Sequence, residues 1–80
     1  MGGRHLKILI TGGCGFVGSN LAIHLKKKGF NVSTLDNLFR LGSKLNLTRL
    51  KKHKIKNYNI DITKINRLIK LPRFDFIIHS

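Results

Sequence analysis

Hydrophobic positions in this chain fall in short runs separated by turn-forming residues, and the period of the runs alternates. "HLKILI", residues 5–10, is a run of Leu and Ile that stops at a glycine-rich segment, the pattern of a buried strand. From Gly15 to Lys28 the apolar positions Val17, Leu21, Ala22 and Leu25 fall at helical spacing. Lys26, Lys27 and Lys28 in the last turn complement the helix dipole, and Gly29 stands just past the end. "FNVSTLD" reads as a second strand, "NLFRLGSK" as a loop, "LNLTRLKK" as a short helix and "IKNYNI" as a third strand. Thr63 suits the N-cap of "KINRLIK", Pro72 follows it, and "FDFIIHS" reads as a fourth strand. There is no internal repeat, low-complexity tract or linker. The order β-α-β-α-β-α-β predicts an α/β fold, a parallel sheet joined by right-handed crossovers.

The segment between the first strand and the first helix carries the chemistry. In "ITGGCGFVGSNLA", Gly12, Gly15 and Gly18 stand three apart. Gly12 allows a sharp turn after the strand, Gly15 lets backbone approach a diphosphate, and Gly18 lets the helix pack closely. The helix N-terminus then offers free N–H groups and partial positive charge to phosphates. No Gly-Lys-Ser/Thr follows, which disfavours a triphosphatase loop. Asp36 stands 18 residues after Gly18, at the end of the second strand. A carboxylate there accepts hydrogen bonds from ribose hydroxyls and repels a 2′-phosphate, favouring NAD over NADP. The competing reading is that Asp36 only starts a turn with Asn37. Joined to the glycine spacing, it points to a dinucleotide.

Charge changes the picture less than its size suggests. Sixteen Lys and Arg face three Asp and no Glu, a formal net charge of +13. Such a balance raises nucleic acid or another anionic surface as a partner. The basic residues are scattered along the chain, however, and aromatics for base stacking are not interleaved with them. Eleven Lys, seven Asn and ten Ile, all with A/T-rich codons, point instead to compositional drift, though the absence of Glu fits that poorly. Nucleic acid is therefore the lesser reading. No apolar run approaches the ~20 residues that span a bilayer, and no signal peptide is visible in "MGGRHLKILI". A membrane partner is not expected, and a cytoplasmic location is. The single cysteine, Cys14, excludes an internal disulfide and reads as a small buried residue rather than a reactive thiol. The four histidines show no metal-like spacing, so no metal is expected.

These residues resemble the extended short-chain dehydrogenase/reductase family, the NAD-dependent epimerases and dehydratases of nucleotide sugars. "TGGCGFVGSNLA" is similar to that family's TGxxGFxG signature, and "LDN", "DI" and "FDFIIH" look like its N-terminal half, from about Lys7 to Ser80. "DNLFRLGSKLNLTRL" is similar to a stretch of the CDP-paratose (CDP-tyvelose) 2-epimerase branch, through Arg40, Gly42, Ser43, Asn46 and Leu47. The resemblance implies the N-terminal part of a Rossmann-type doubly wound parallel sheet, strand order 3-2-1-4, with residues 1–80 a partial NAD(P)-binding domain. Phe16 and Val17 match positions whose backbone N–H groups contact the diphosphate. Asp36, with Asn37 beside it, matches the ribose-binding acid, and Arg40 a position near the adenosine. Asp61 and Ile62 match the pair that reads the adenine edge; the plainer reading of Asp61 is a loop-entry residue.

In that family a Tyr-x-x-x-Lys pair with a nearby Ser or Thr does the chemistry. The only tyrosine, Tyr58, falls in a predicted strand, and position 62 is Ile where the pair needs Lys. No catalytic residue is therefore expected in this chain, which reads as the N-terminal part of an enzyme or as a truncated, non-catalytic dinucleotide binder. A nucleotide-sugar substrate and a homodimer are expected only of a full-length form. The outer edge of "FDFIIH" would then lack its neighbour, an aggregation hazard.

Overall fold

β1 (Lys7–Thr11), β2 (Asn31–Leu35), β3 (Lys56–Tyr58) and β4 (Phe76–His79) form one sheet in the computed structural model, which describes residues 6–39, 42–61 and 72–80. Helix α1 (Phe16–Lys27) joins β1 to β2, and α2 (Ser43–Lys52) lies between β2 and β3. Every pairing is parallel and the order is β3-β2-β1-β4, the doubly wound order expected from the sequence. The helix expected over residues 64–70, with its Thr63 cap, lies outside the described residues.

β1 is the central strand, buried along Ile8, Leu9, Ile10 and Thr11. Register places Ile8 opposite Val32 and Phe76, and Ile10 opposite Thr34 and Ile78. Successive strand residues point to opposite faces, so Ile8, Ile10 and Val32 share the face that packs against the helices. Their cluster takes in Ala22 and Ile23 of α1, Leu50 of α2, and Ile55. Leu9 and Leu35, also buried, lie on the opposite face. The helical spacing holds, but its buried face is Gly18, Ser19, Ala22 and Ile23. Val17 is 68% exposed, because it lies off the face that Gly18, Ser19, Ala22 and Ile23 bury.

Both helices end by one device. Phe30 N–H donates to the Leu25 carbonyl (3.2 Å) and Gly29 N–H to Lys26 (3.0 Å), with Gly29 at φ +98°. In α2, Ile55 N–H donates to Leu50 (2.9 Å) and Lys54 N–H to Lys51 (3.0 Å), with Lys54 at φ +59° in the place glycine usually takes. α2 begins at Ser43, two residues before the predicted start. Gly42, at φ +88°, turns the chain, and its carbonyl accepts from Leu45 and Asn46 N–H, so helical bonding starts there. β3 is shorter than predicted because Ile60 N–H turns back onto the Tyr58 carbonyl (2.9 Å). Tyr58 is a strand residue, as expected, its ring edge-on to Phe74. β4 pairs with β1 on one side; among the described residues no strand pairs with its other side, and Phe76 and Ile77 are each 55% exposed. No helix among the described residues is long and apolar enough to cross a membrane.

Candidate functional site

The glycine loop leaves β1 at its carboxyl end and is held shut from several directions. Gly12 has φ +69° and donates its N–H to the Leu35 carbonyl of β2 (2.8 Å), while Gly15 N–H closes onto the Gly12 carbonyl (3.0 Å). A Cβ on Gly18 would lie 2.4 Å from the Gly12 carbonyl oxygen, so this glycine lets α1 pack on the loop itself rather than on the sheet. Gly13, which the spacing argument passed over, is as tightly held: a Cβ there would lie 2.3 Å from the Thr34 Cβ. Gly15 precedes α1 in an extended conformation open to any residue, so a need for glycine there comes from what approaches it. α1 has no side-chain cap. Ser19 N–H makes its bond to the Gly15 carbonyl (2.9 Å). The N–H groups of Phe16, Val17 and Gly18 stand ahead of that bond in the helix's first turn, which leaves such donors without an intrahelical acceptor.

Asp36 ends β2 beside this loop and is nearly buried. One carboxylate oxygen accepts from the Cys14 N–H (3.0 Å), the other from the Leu38 N–H (2.8 Å). Asn37 makes a similar turn, its side-chain oxygen accepting from Phe39 N–H (3.1 Å). The turn-forming reading of Asp36 and Asn37 is thus realised, with Leu38 held at φ +61°. A carboxylate has about four acceptor sites, so two remain for a ligand. From the other side, the Asn46 side-chain amide of α2 donates to the Cys14 carbonyl (2.9 Å), and Arg49 ties Asn46 to Asn20 of α1. Burial, and then the neighbouring Asp36 charge, push the Cys14 thiol up from 9.0 to about 11. It is a protonated, inert packing residue at neutral pH.

A cavity of about 370 Å³ opens over the carboxyl ends of the strands. Gly12, Asp36, Asn37 and Asp61, all predicted site residues, line it together. It spans the ends of all four strands and takes in the point between β1 and β4 where the strand order reverses, the place where doubly wound sheets take ligands. Phe16 and Val17 project exposed side chains from the first turn of α1, and Gly18 is buried behind the loop. Arg40 and Ile62 lie outside the described residues. The sequence argument missed what the end of β4 contributes. His79 and Ser80 line the cavity, with His79 Nδ1 2.8 Å from Thr11 Oγ1. The Ser80 hydroxyl donates toward the Thr11 carbonyl (2.9 Å) and lies 3.2 Å from that of Gly12. The signal was available, since a residue at the carboxyl end of a strand next to the reversal faces this crevice whatever its type.

Comparison with known proteins agrees with this geometry. The family model described as "NAD dependent epimerase/dehydratase family" matches residues 8–80. The chain is 52% identical over 42 residues to a CDP-paratose 2-epimerase of Salmonella typhi, covering 52% of this chain and 12% of that protein. It is 41% identical over 80 residues to a UDP-glucose 4-epimerase of Neisseria meningitidis serogroup B, covering 91% of this chain and 23% of that protein. Among solved structures, the UDP-Glc/GlcNAc 4-epimerase from Campylobacter jejuni superimposes with a TM-score of 0.74 at 29% identity, over 94% of this chain and 24% of that one. Where nearly the whole chain is matched, it spans about a quarter of the relative's length, 23% and 24% in these two cases. Sheet order, glycine loop and sequence matches agree: this chain belongs to the NAD dependent epimerase/dehydratase family.

Proposed function

We propose that this chain is the partial NAD-binding domain of a nucleotide-sugar epimerase or dehydratase. The observation that carries the reading is the cavity over the strand ends, where the Gly12 turn, Asp36, Asn37 and Asp61 come together. The residues fit a dinucleotide: the Gly12 turn carries no Cβ on the cavity side, and donors of the first turn of α1 stand ahead of its first intrahelical bond. In this reading the N–H groups of Phe16 and Val17 hold the diphosphate at the helix N-terminus. The two remaining acceptor sites of Asp36 take the ribose hydroxyls, and the charge of Asp36 disfavours a 2′-phosphate, so NAD is preferred to NADP. Asn37 and Arg40 flank the adenosine, and Asp61 and Ile62 read the adenine edge. NAD, when bound, supplies hydride acceptance and return at a sugar carbon; this chain's residues bind and orient it. The Tyr-x-x-x-Lys pair is not among these 80 residues, so the chemistry belongs to a full-length form. The sequence stretch from Asp36 to Leu50 favours the CDP-paratose 2-epimerase branch for the substrate. The sole cysteine, buried and protonated, suits a cytoplasmic setting.

Calorimetric titration with NAD and NADP tests the reading. Saturable NAD binding, weaker NADP binding, and a ratio that shifts toward NADP by at least about tenfold in Asp36→Ser are expected, a tenfold change being ~1.4 kcal/mol. The ratio is insensitive to a general loss of folded protein. Binding of neither cofactor, or an unchanged ratio in the variant, would overturn it.

A further inference from the structure

Lysines that are scattered in sequence are gathered by the fold. α1 and α2 both run back from the carboxyl edge of the sheet to its amino edge, side by side, tied by the Arg49–Asn20 bond (2.8 Å). Packed helices lie ~8–10 Å apart, so their last turns form one ledge. Lys26, Lys27 and Lys28 close α1; Lys51, Lys52 and Lys54 close α2. All but the partly buried Lys26 are exposed. Two of the three acids, Asp36 and Asp61, lie at the other edge, in the cavity. The third, Asp75, is engaged with the Lys7 N–H (2.7 Å). These lysines thus stand on the edge opposite the candidate cofactor site and do not serve a diphosphate bound there. A helix dipole is equivalent to about half a charge, less than the three cations at each helix end.

We propose that this ledge docks a polyanion, and that the partner is the phosphate backbone of duplex nucleic acid. Lysines are point charges suited to sequence-independent phosphate contacts. The two helix ends carry no exposed Phe or Tyr ring on which a single strand could stack; Tyr58 lies at the carboxyl end of β3, its ring covered by Lys56 Nζ (4.7 Å) and Phe74. The ledge offers no apolar anchor for a bilayer either. Exposed Phe16, Val17, Phe39 and Leu45 belong to the first turns of the helices and the loop after β2, at the carboxyl edge, and Phe76 and Ile77 to β4, the strand on the far side of β1 from β2 and β3.

The experiment is anisotropy titration of a short labelled DNA duplex with the whole chain across a salt series. Six phosphate contacts predict a log–log salt slope of about −5. Lys26→Glu/Lys27→Glu and Lys51→Glu/Lys52→Glu should each weaken binding at least about tenfold and flatten the slope by ~2. The corresponding Lys→Gln pairs, milder toward the helix ends, should move it the same way. Thermal melting of each variant reports folding, and cofactor titration reports the other edge independently. No duplex binding at low salt, a flat salt response, Lys→Gln pairs that bind like the parent, or tighter binding to anionic phospholipid vesicles than to duplex would each overturn the proposal.

Discussion

Asp36 joins two jobs in one carboxylate. Its bonds to the Cys14 and Leu38 N–H groups hold the glycine loop against the turn after β2, and its remaining acceptor sites face the cavity. Its position was readable from the spacing to Gly18; its role in pinning the loop was not, because nothing local links residues 14 and 36. Gly13 escaped notice for the same reason, its constraint being the approach of Thr34 from the next strand. Cys14 beside them gives a pH-dependent prediction. Its thiol is raised from 9.0 to about 11, by burial first and the Asp36 charge second. The unfolded thiol loses its proton first, so this contribution to stability is full below about pH 9 and is lost as pH rises through about 11. The loss reaches ~2 kcal/mol at the top of that window. Urea denaturation across the window should show it in the parent, and Cys14→Ala should lack this part of the decline.

At the scale of elements, helix ends separate what was legible from what was not. Gly29 marked the end of α1 and does so, because glycine takes the left-handed conformation without cost. α2 closes with the same bonds around Lys54 at φ +59°, and a lysine there gives no signal. Left-handed backbone costs a residue with a Cβ ~1–2 kcal/mol. Lys54→Gly is therefore expected to stabilise the chain by about 1 kcal/mol, less the added flexibility of the unfolded chain. The check is the denaturation midpoint, and a lower midpoint would show that the Lys54 side chain holds the turn by other means. The strands were legible as apolar runs, and their order followed from the doubly wound class that the family resemblance implies. The start of α2 was misplaced because Gly42 and Ser43 are loop-formers by composition, while the carbonyl of Gly42 is the first helical acceptor.

The described residues are polarised: Asp36, Asp61 and the cavity lie at one edge of the sheet, the lysines that close α1 and α2 at the other, and β4 stands on the side with Phe76 and Ile77 exposed. A strand edge with apolar side chains invites pairing with another chain. Ile77→Lys is expected to raise the concentration at which the protein stays monomeric in light scattering; no change would mean that the positive charge alone prevents association. The hydroxyl of Ser80 carries a last consequence. It closes the turn at Thr11 and Gly12 across a sequence separation of 69 residues. Contacts of such separation must overcome the entropy of closing the intervening loop. During synthesis, the turn at residue 12 leaves the ribosome long before the residue that braces it. The site at the front of the chain is thus completed only once Ser80 has emerged, and its competence reports that the chain has been made at least that far.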